Sequence, residues 1–482
     1  MKSMLMHSFV LDALETTGAD TFSHFEVLVD EHRRLEAEKS TRPSRLKTLV
    51  PTVGTFHTHL PLRQAFEVYN SKHCLTKRKH IQVSFNEIRH IMNLAQVMAM
   101  RKPSTDEEIE KKESLYVDTL AHTSARNLSD DDLREENINP GQLNGPKLIT
   151  FDGDQTLYSD GSNFESNPKL AHYLCMLLRH GVTVAVVTTA GYEYNAEKYE
   201  FRLSGLLDYF KANELSEEEC HRFFLFGGEC NYLLNVRSLL DSWCRLLRQL
   251  TFRRASKLGS DYRLRAVKET GPGGWITSTK YLPETPGNWS EEEISNLLDV
   301  AEAAVTTCLK DLNMRGSVIR KRRAVGLVPN PGQLITREAL DETVLRCQSD
   351  LAKMNNGLGP DLPFCAFNGG KDCWVDVGNK RVGVQILESY LGIQPAETLH
   401  IGDQFLNTGN DYAARGVCPC IWITSPDETT YILKTILRLA GLSIALPPNE
   451  SEKRDSVLDF SEVERRTKSV KQMDVYTGEL KE

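Results

Sequence analysis

The sequence predicts a doubly wound, Rossmann-like α/β core, interrupted by a long α+β insertion and preceded by a helical region. Three observations carry this. Short apolar, β-prone runs at 147–151 and 182–187 flank a stretch with helical spacing at 167–179. Strand, helix and strand in that order, with both strands almost wholly apolar, describe a parallel sheet covered on both faces. The alternation resumes as helix 382–391, strand 398–401, helix 409–415 and strand 418–424, after an irregular mixture over 192–375. The expected division is a helical amino-terminal regulatory or oligomerisation region (1–145), a core in two pieces (146–191 and 376–446), an insertion (192–375) and a charged tail (447–482).

Taken in order, 8–14, 22–35 and 85–100 space their apolar residues at three and four, as amphipathic helices do. A Pro- and Thr-bearing segment, 41–58, interrupts them. Residues 107–112 form a charged helix face, and 137–146 have the Asn, Pro and Gly content of a linker. Within the insertion, 231–250 and 290–312 read as helices, and 223–226, 317–328 and 373–377 as strands. From 447 onward the apolar content is too low for a packed core.

The length, 482 residues, calls for more than one ordinary core. With 40% hydrophobic and 26% charged residues the chain is of soluble globular type. A formal net charge of −8 argues against a bulk nucleic-acid binder, which needs a basic face. The run Lys77-Arg78-Lys79-His80 is the local exception and reads as a solvated face. Eleven scattered cysteines suit free thiols in a reducing compartment. No apolar stretch reaches the ~20 residues a bilayer span needs. A cytoplasmic, membrane-free protein is the expectation.

The segment Phe151-Asp152-Gly153-Asp154-Gln155-Thr156 sets two carboxylates at the exit of a strand. Phosphoryl transfer to a carboxylate needs a nucleophilic oxygen, an acid for the leaving alkoxide and a cation to neutralise charge. Alone, the pair would also suit an Asp-rich turn or a calcium loop. Strand 182–187, however, ends in Thr188-Thr189, hydroxyls suited to a phosphate oxygen. Lys380 opens the resumed core, where an ammonium can meet both phosphate and nucleophile. Strand 398–401 ends in Gly402-Asp403, with Asp411 further on, a hard-oxygen pair suited to Mg2+. All four sets sit at the carboxyl ends of strands in one sheet, where such folds bind ligands.

These residues resemble the haloacid dehalogenase superfamily: its D-x-D-x-T as Asp152-Gly-Asp154-Gln-Thr156, then Thr188, Lys380 and the acidic pair Asp403/Asp411. By that resemblance the long insertion between Thr188 and Lys380 is an α+β cap at the second cap position. Four longer motifs are similar to the IMP-specific 5'-nucleotidases of fungi and apicomplexan parasites. They are 150–161, Phe226-Gly-Gly-Glu-Cys-Asn-Tyr232, Arg320-Lys-Arg-Arg-Ala-Val-Gly326 and Ile401-Gly-Asp-Gln-Phe-Leu-Asn-Thr-Gly-Asn-Asp411. The resemblance implies hydrolysis of inosine monophosphate (IMP), Mg2+ dependence, activation by ATP and a homotetramer.

It also implies roles. Asp152 is the nucleophile and Asp154 the general acid/base. Asp152, the carbonyl of Asp154 and Asp403 ligate Mg2+, and Asp411 ligates through water or orients the site. Thr188 and Lys380 clamp the phosphate. Asp160 contacts the ribose or is a plain turn residue. Trp374 and Asp376 project from one face of strand 373–377, suited to a purine ring and its polar edge, although a buried structural Trp would look the same. Asn407 and Tyr412 are placed against an effector purine, or pack as ordinary loop residues. Along 317–328, alternation puts Arg320 and Arg322 on one face and Lys321 and Arg323 on the other, facing either the nucleotide or a neighbouring subunit. The rival activities are a sugar-phosphate phosphatase or phosphomutase, and a catalytically silent nucleotide-sensing scaffold.

Overall fold

The computed structural model describes residues 18–78, 81, 83–100, 145–164, 167–236, 262–268, 275, 280–282, 290–360, 362–440 and 442. The helices expected at 8–14 and 107–112, most of the linker and the charged tail lie outside them. Helices α1 (Ala19–Ala37), α2 (Leu62–His73) and α3 (Phe85–Ala99) enclose their own core, with Phe22, Phe66, Tyr69, Ile91 and Ala95 at its centre. Ser84 and Glu87 form a reciprocal capping box that fixes where α3 starts. Arg78, in the basic run, pairs with Glu87 at 2.7 Å.

The main sheet has seven strands in the order β11-β10-β1-β2-β3-β4-β5. They are β1 (Leu148–Phe151), β2 (Thr183–Val187), β3 (Phe223–Gly227), β4 (Tyr232–Val236), β5 (Leu264–Val267), β10 (Thr398–Gly402) and β11 (Cys420–Trp422). Pairing is parallel from β11 to β3 and antiparallel from β3 to β5. Helix α4 (Pro168–Arg179) links β1 to β2, and α5 (Ala196–Arg202) follows β2. After β1 the chain builds outward through β2 and β3; later it returns to the opposite side through β10 and β11. The gap between β1 and β10 is therefore a topological switch point, where the connecting loops part and leave a crevice.

The second sheet has the order β6-β7-β9-β8, from β6 (Gly316–Arg320), β7 (Ala324–Pro329), β8 (Phe364–Asn368) and β9 (Cys373–Val377). Helices α6 (Glu291–Asp311) and α7 (Arg337–Leu351) cover one of its faces, packing Leu297, Ala301, Leu340 and Val344 against Val325, Leu327 and Val375. The opposite face carries Ala324, Gly326, Phe367, Trp374, Cys365 and Asp376, as the cross-strand register requires. From β9 the chain turns into α8 (Lys380–Leu391), whose first turn Asn379 caps. Helix α9 (Pro426–Leu439) closes the fold against α4.

Three expectations need correction. The insertion does not begin at 192: β3, β4 and β5 belong to the main sheet, because the apolar Phe223–Gly227 pairs in parallel with β2. Residues 232–236, expected as the start of a helix, are strand β4; a short unbroken apolar run suits either element. The single strand expected at 317–328 is a hairpin. Its tip falls on Lys321–Arg323, where the Lys321 N–H donates to Ala324 O at 2.7 Å. The expected alternation of the four basic residues therefore fails. Arg320 pairs with Asp299 and Glu302, and Arg322 and Arg323 both reach Glu291.

Candidate active site

Strand β1 is buried throughout and ends at Asp152, itself only 4% exposed. Its Oδ1 accepts from the Gly153 N–H at 2.6 Å and lies 2.8 Å from Lys380 Nζ. Lys380 is fully buried at the start of α8, and its ammonium also donates to Asp411 Oδ1 at 2.6 Å. Asp411 is the most heavily bonded group of the site. His400 Nε2 donates to the same Oδ1 at 2.9 Å, and the Gln404 N–H to Oδ2 at 2.9 Å. The Thr150 hydroxyl lies 2.8 Å from His400 Nδ1, so one imidazole tautomer serves both neighbours. Gly402 makes this packing possible, since a Cβ there would sit 2.3 Å from Asp411 Oδ2.

The electrostatics follow from burial first. Burial pushes the Asp152 carboxyl up to about 7, with Asp411's charge adding to it and Lys380 only partly opposing. Asp403 is pushed further, to about 9, by burial and by the neighbouring negative charges of Asp152 and Asp411. For Asp411, burial is outweighed by Lys380 and His400, which hold it well below the usual carboxylate range. Burial would discharge Lys380, but Asp152 and Asp411 outweigh it and keep the ammonium above the ordinary lysine range.

Asp152, Asp403 and Asp411 each offer an oxygen, all within 4.8 Å of one another. Asp403 Oδ1 is buried without a hydrogen-bond partner. An orphaned carboxylate oxygen beside two others fits a hard divalent cation. Because both Asp411 oxygens already accept hydrogen bonds, it suits an orienting role better than a direct one.

The remaining candidates surround this centre unequally. Thr188, at the end of β2, is buried beside Gly153, whose added Cβ would lie 3.3 Å from Thr188 Oγ1. Asp154 points away to Arg202 of α5, which donates to its two oxygens at 2.6 and 2.9 Å and stacks on Tyr158 at 4.9 Å. Asp160 is exposed, with Lys371 of the β8–β9 turn 3.8 Å away. Trp374 and Asp376 share the face of the second sheet opposite α6 and α7, and Asp376 is buried with Oδ1 unpartnered. Burial pushes that carboxyl up to about 7.

Asn407 and Tyr412 do not join the cluster. The Asn407 carbonyl accepts from Gln348 at 3.0 Å, and Arg415 covers the Tyr412 ring at 4.2 Å. Four further residues were not singled out from sequence: His400, Arg202, Trp422 and Glu229. Trp422 Nε1 donates to the Asp403 carbonyl at 2.8 Å. Glu229, in the β3–β4 turn, is fully buried with neither oxygen partnered and Lys380 as its main countercharge. Only its place inside the motif 226–232 could have flagged it.

A sequence profile described as IMP-specific 5'-nucleotidase matches residues 10–251 and 260–433. The IMP-specific 5'-nucleotidase 1 of Neurospora crassa is 35% identical over 436 residues, covering 88% of this chain and 85% of that protein. Among solved structures, an N-terminally truncated, IMP-bound Plasmodium falciparum IMP-nucleotidase matches with a TM-score of 0.66 at 30% identity. That match covers 90% of this chain and 94% of the other. An ATP-bound structure of the P. falciparum enzyme matches at 0.63, also at 30% identity, covering 91% and 83%. With its profile matched across both pieces of the core and a mixed α/β architecture shared with those structures, this chain belongs to the IMP-specific 5'-nucleotidase family.

Proposed function

We propose that the chain is a Mg2+-dependent 5'-nucleotidase that hydrolyses IMP to inosine and phosphate through an aspartyl phosphate on Asp152. The observation that carries this is the cluster of Asp152, Lys380 and Asp403 at the switch point, in a chain of this family. The haloacid dehalogenase reading adds the roles, and the second sheet, which enters the chain between β5 and α8, acts as the cap.

An oxygen of Asp152 attacks phosphorus opposite the ribose oxygen, and the P–O5' bond breaks. Its electron pair stays on O5', which takes a proton from the Asp154 carboxyl. Asp154 then removes a proton from water, whose oxygen attacks the aspartyl phosphate and returns Asp152 as carboxylate. Lys380 and Thr188 hold phosphate oxygens. What Mg2+ supplies, when held by Asp152, Asp403 and the Asp154 carbonyl, is neutralisation of phosphoryl charge. Because Arg202 grips both Asp154 oxygens, Asp154 must turn from Arg202 towards the leaving oxygen before it can act as an acid.

Recognition falls to Trp374 for the base, Asp376 for its polar edge and Asp160 for the ribose. Activation by ATP rests on the family resemblance, while the ATP-bound relative supports ATP binding alone; Asn407 and Tyr412 are candidate contacts and the amino-terminal helices the regulatory region. A homotetramer rests on the family resemblance, aided by exposed Val27, Leu49, Ile81 and Phe85 on the helical region. A soluble, cytoplasmic location belongs to the same reading; among the described residues no helix is long and apolar enough to cross a membrane. The test is phosphate release from a panel of nucleotides and sugar phosphates, with EDTA, with Mg2+ restored and with ATP. Release from IMP, lost on chelation and regained with Mg2+, is expected; preference for a sugar phosphate would overturn the substrate.

A further inference from the structure

The face of the second sheet that carries Trp374 and Asp376 holds a third polar group. The Trp374 indole lies flat on β7 at Gly326, where a Cβ would stand 2.5 Å from the ring. Backbone therefore closes one side of the indole. Over the other side, 4.0 Å from the ring centroid, sits the ammonium of Lys321. Lys321 is anchored by its backbone at the β6–β7 hairpin tip, while its long side chain gives the ammonium reach.

Asp376 lies two residues beyond Trp374 on the same face, buried, with Oδ1 unpartnered. The charge of Lys321 is the chief influence opposing its burial. A flat ring, a movable cationic donor and a buried acceptor thus lie side by side. The end of β9 adjoins the main sheet: Asn231, in the β3–β4 turn, donates to the Val377 carbonyl at 2.6 Å, and Lys380 follows three residues on.

A 6-oxopurine presents an acceptor at O6 beside a donor at N1–H; a 6-aminopurine presents the reverse. A base stacking on Trp374 has one side of the ring available, and that is the side Lys321 occupies. An exposed cation–π contact is weak enough for base stacking to displace it. We propose that Lys321 determines specificity for 6-oxopurine nucleoside monophosphates. It covers the open side of Trp374 until a base displaces it, then donates to O6 while Asp376 accepts from N1–H. This rests on the reading of IMP as substrate.

The experiment is steady-state kinetics of the full chain on IMP, GMP and AMP, comparing the unsubstituted protein with Lys321→Met and Lys321→Arg. Lys321 is exposed at a hairpin tip, so both variants should fold. In Lys321→Met, kcat/KM for IMP should fall roughly 10-fold or more, carried by KM rather than kcat. GMP, which shares O6 and N1–H, should fall in parallel. AMP should change little, so the preference for IMP over AMP narrows by the same factor, and Lys321→Arg should restore most of it. An unsubstituted protein that cleaves AMP as well as IMP overturns the substrate reading and this assignment together. A preference for IMP kept intact in Lys321→Met overturns the assignment of Lys321 alone.

Discussion

The carboxyl edge of the main sheet and the facing surface of the second sheet handle buried charge in opposite ways. At the edge, Lys380 is held by Asp152 and Asp411, and Asp411 by His400 and Gln404, while Asp403 keeps an orphaned oxygen. On the second sheet, among the described residues, buried Asp376 keeps a bare Oδ1, and where the main sheet's β3–β4 turn meets the end of β9, buried Glu229 keeps two bare oxygens. Glu229 even sits in a run of three left-handed residues, Gly228, Glu229 and Cys230, at φ of +59°, +49° and +71°. Desolvated acceptors and strained backbone both cost stability and persist at sites where a ligand relieves them. The Lys380 cluster is thus bonded by the protein itself, whereas Asp376 and Glu229 keep acceptors that a polar ligand could satisfy.

The sharpest break of that contrast is Asp152→Asn. Turnover should fall on the order of 10^4-fold or more, because an amide is a poor nucleophile, with the melting temperature little changed. Retained phosphate release would remove the aspartyl-phosphate route. Next, Lys380→Met should cost about 3–5 kcal/mol of unfolding free energy by leaving two buried carboxylates without their cation. Unfolding in urea measures it, and a loss below 1 kcal/mol would mean the edge is not held by that ammonium.

A partnered network behind strand β11, outside the Lys380 cluster, gives the control. Burial raises Glu428, but hydrogen bonds from Arg89 and His90 outweigh it and hold the carboxyl at about 2. Its folded pKa lies below the unfolded value, so its stabilisation is whole above about pH 4.5 and is lost as pH falls towards 2. That amounts to about 3 kcal/mol. Glu428→Gln should flatten acid-induced unfolding across this window, and an unchanged profile would count against the pair.

Smaller effects are expected at Trp374 and at Asp403. Trp374→Ala should weaken nucleotide binding by about 1–3 kcal/mol, seen mainly in KM. A drop in melting temperature with KM unchanged would instead mark the indole as packing. Asp403→Asn should raise the Mg2+ concentration for half-activity roughly 10-fold, readable also by calorimetric titration of Mg2+; unchanged metal binding would exclude Asp403 as a ligand.

The core strands, with Asp152 and Asp403 at their ends, were legible in the sequence because an apolar run that stops at an acid is a local signal; Lys380 and Asp411 end no such run, and the family resemblance carried them. Strand β4 was not, because Tyr232-Leu-Leu-Asn-Val236 carries no period that separates strand from helix. Arg202 reaching Asp154, or Arg89 reaching Glu428, joins residues far apart in the chain, and no spacing rule announces such a meeting. The basic hairpin is not legible as two strands because its charge alternation runs straight through the residues that turn.

Strand β11 pairs with β10 on one side only. On its other side, side chains of α3 do what a further strand would. Asn93 receives the Trp422 N–H at 3.2 Å and donates to its carbonyl at 2.6 Å, and Arg89 adds a bond at 2.7 Å. The helical region thus plugs the sheet at the residue whose indole steadies Asp403. A fragment cut to begin near residue 146 would bare a short apolar edge, Cys420-Ile-Trp422, as a template for other chains. Such a fragment would tend to self-associate, and its Asp403 loop would stand on a loosened foundation.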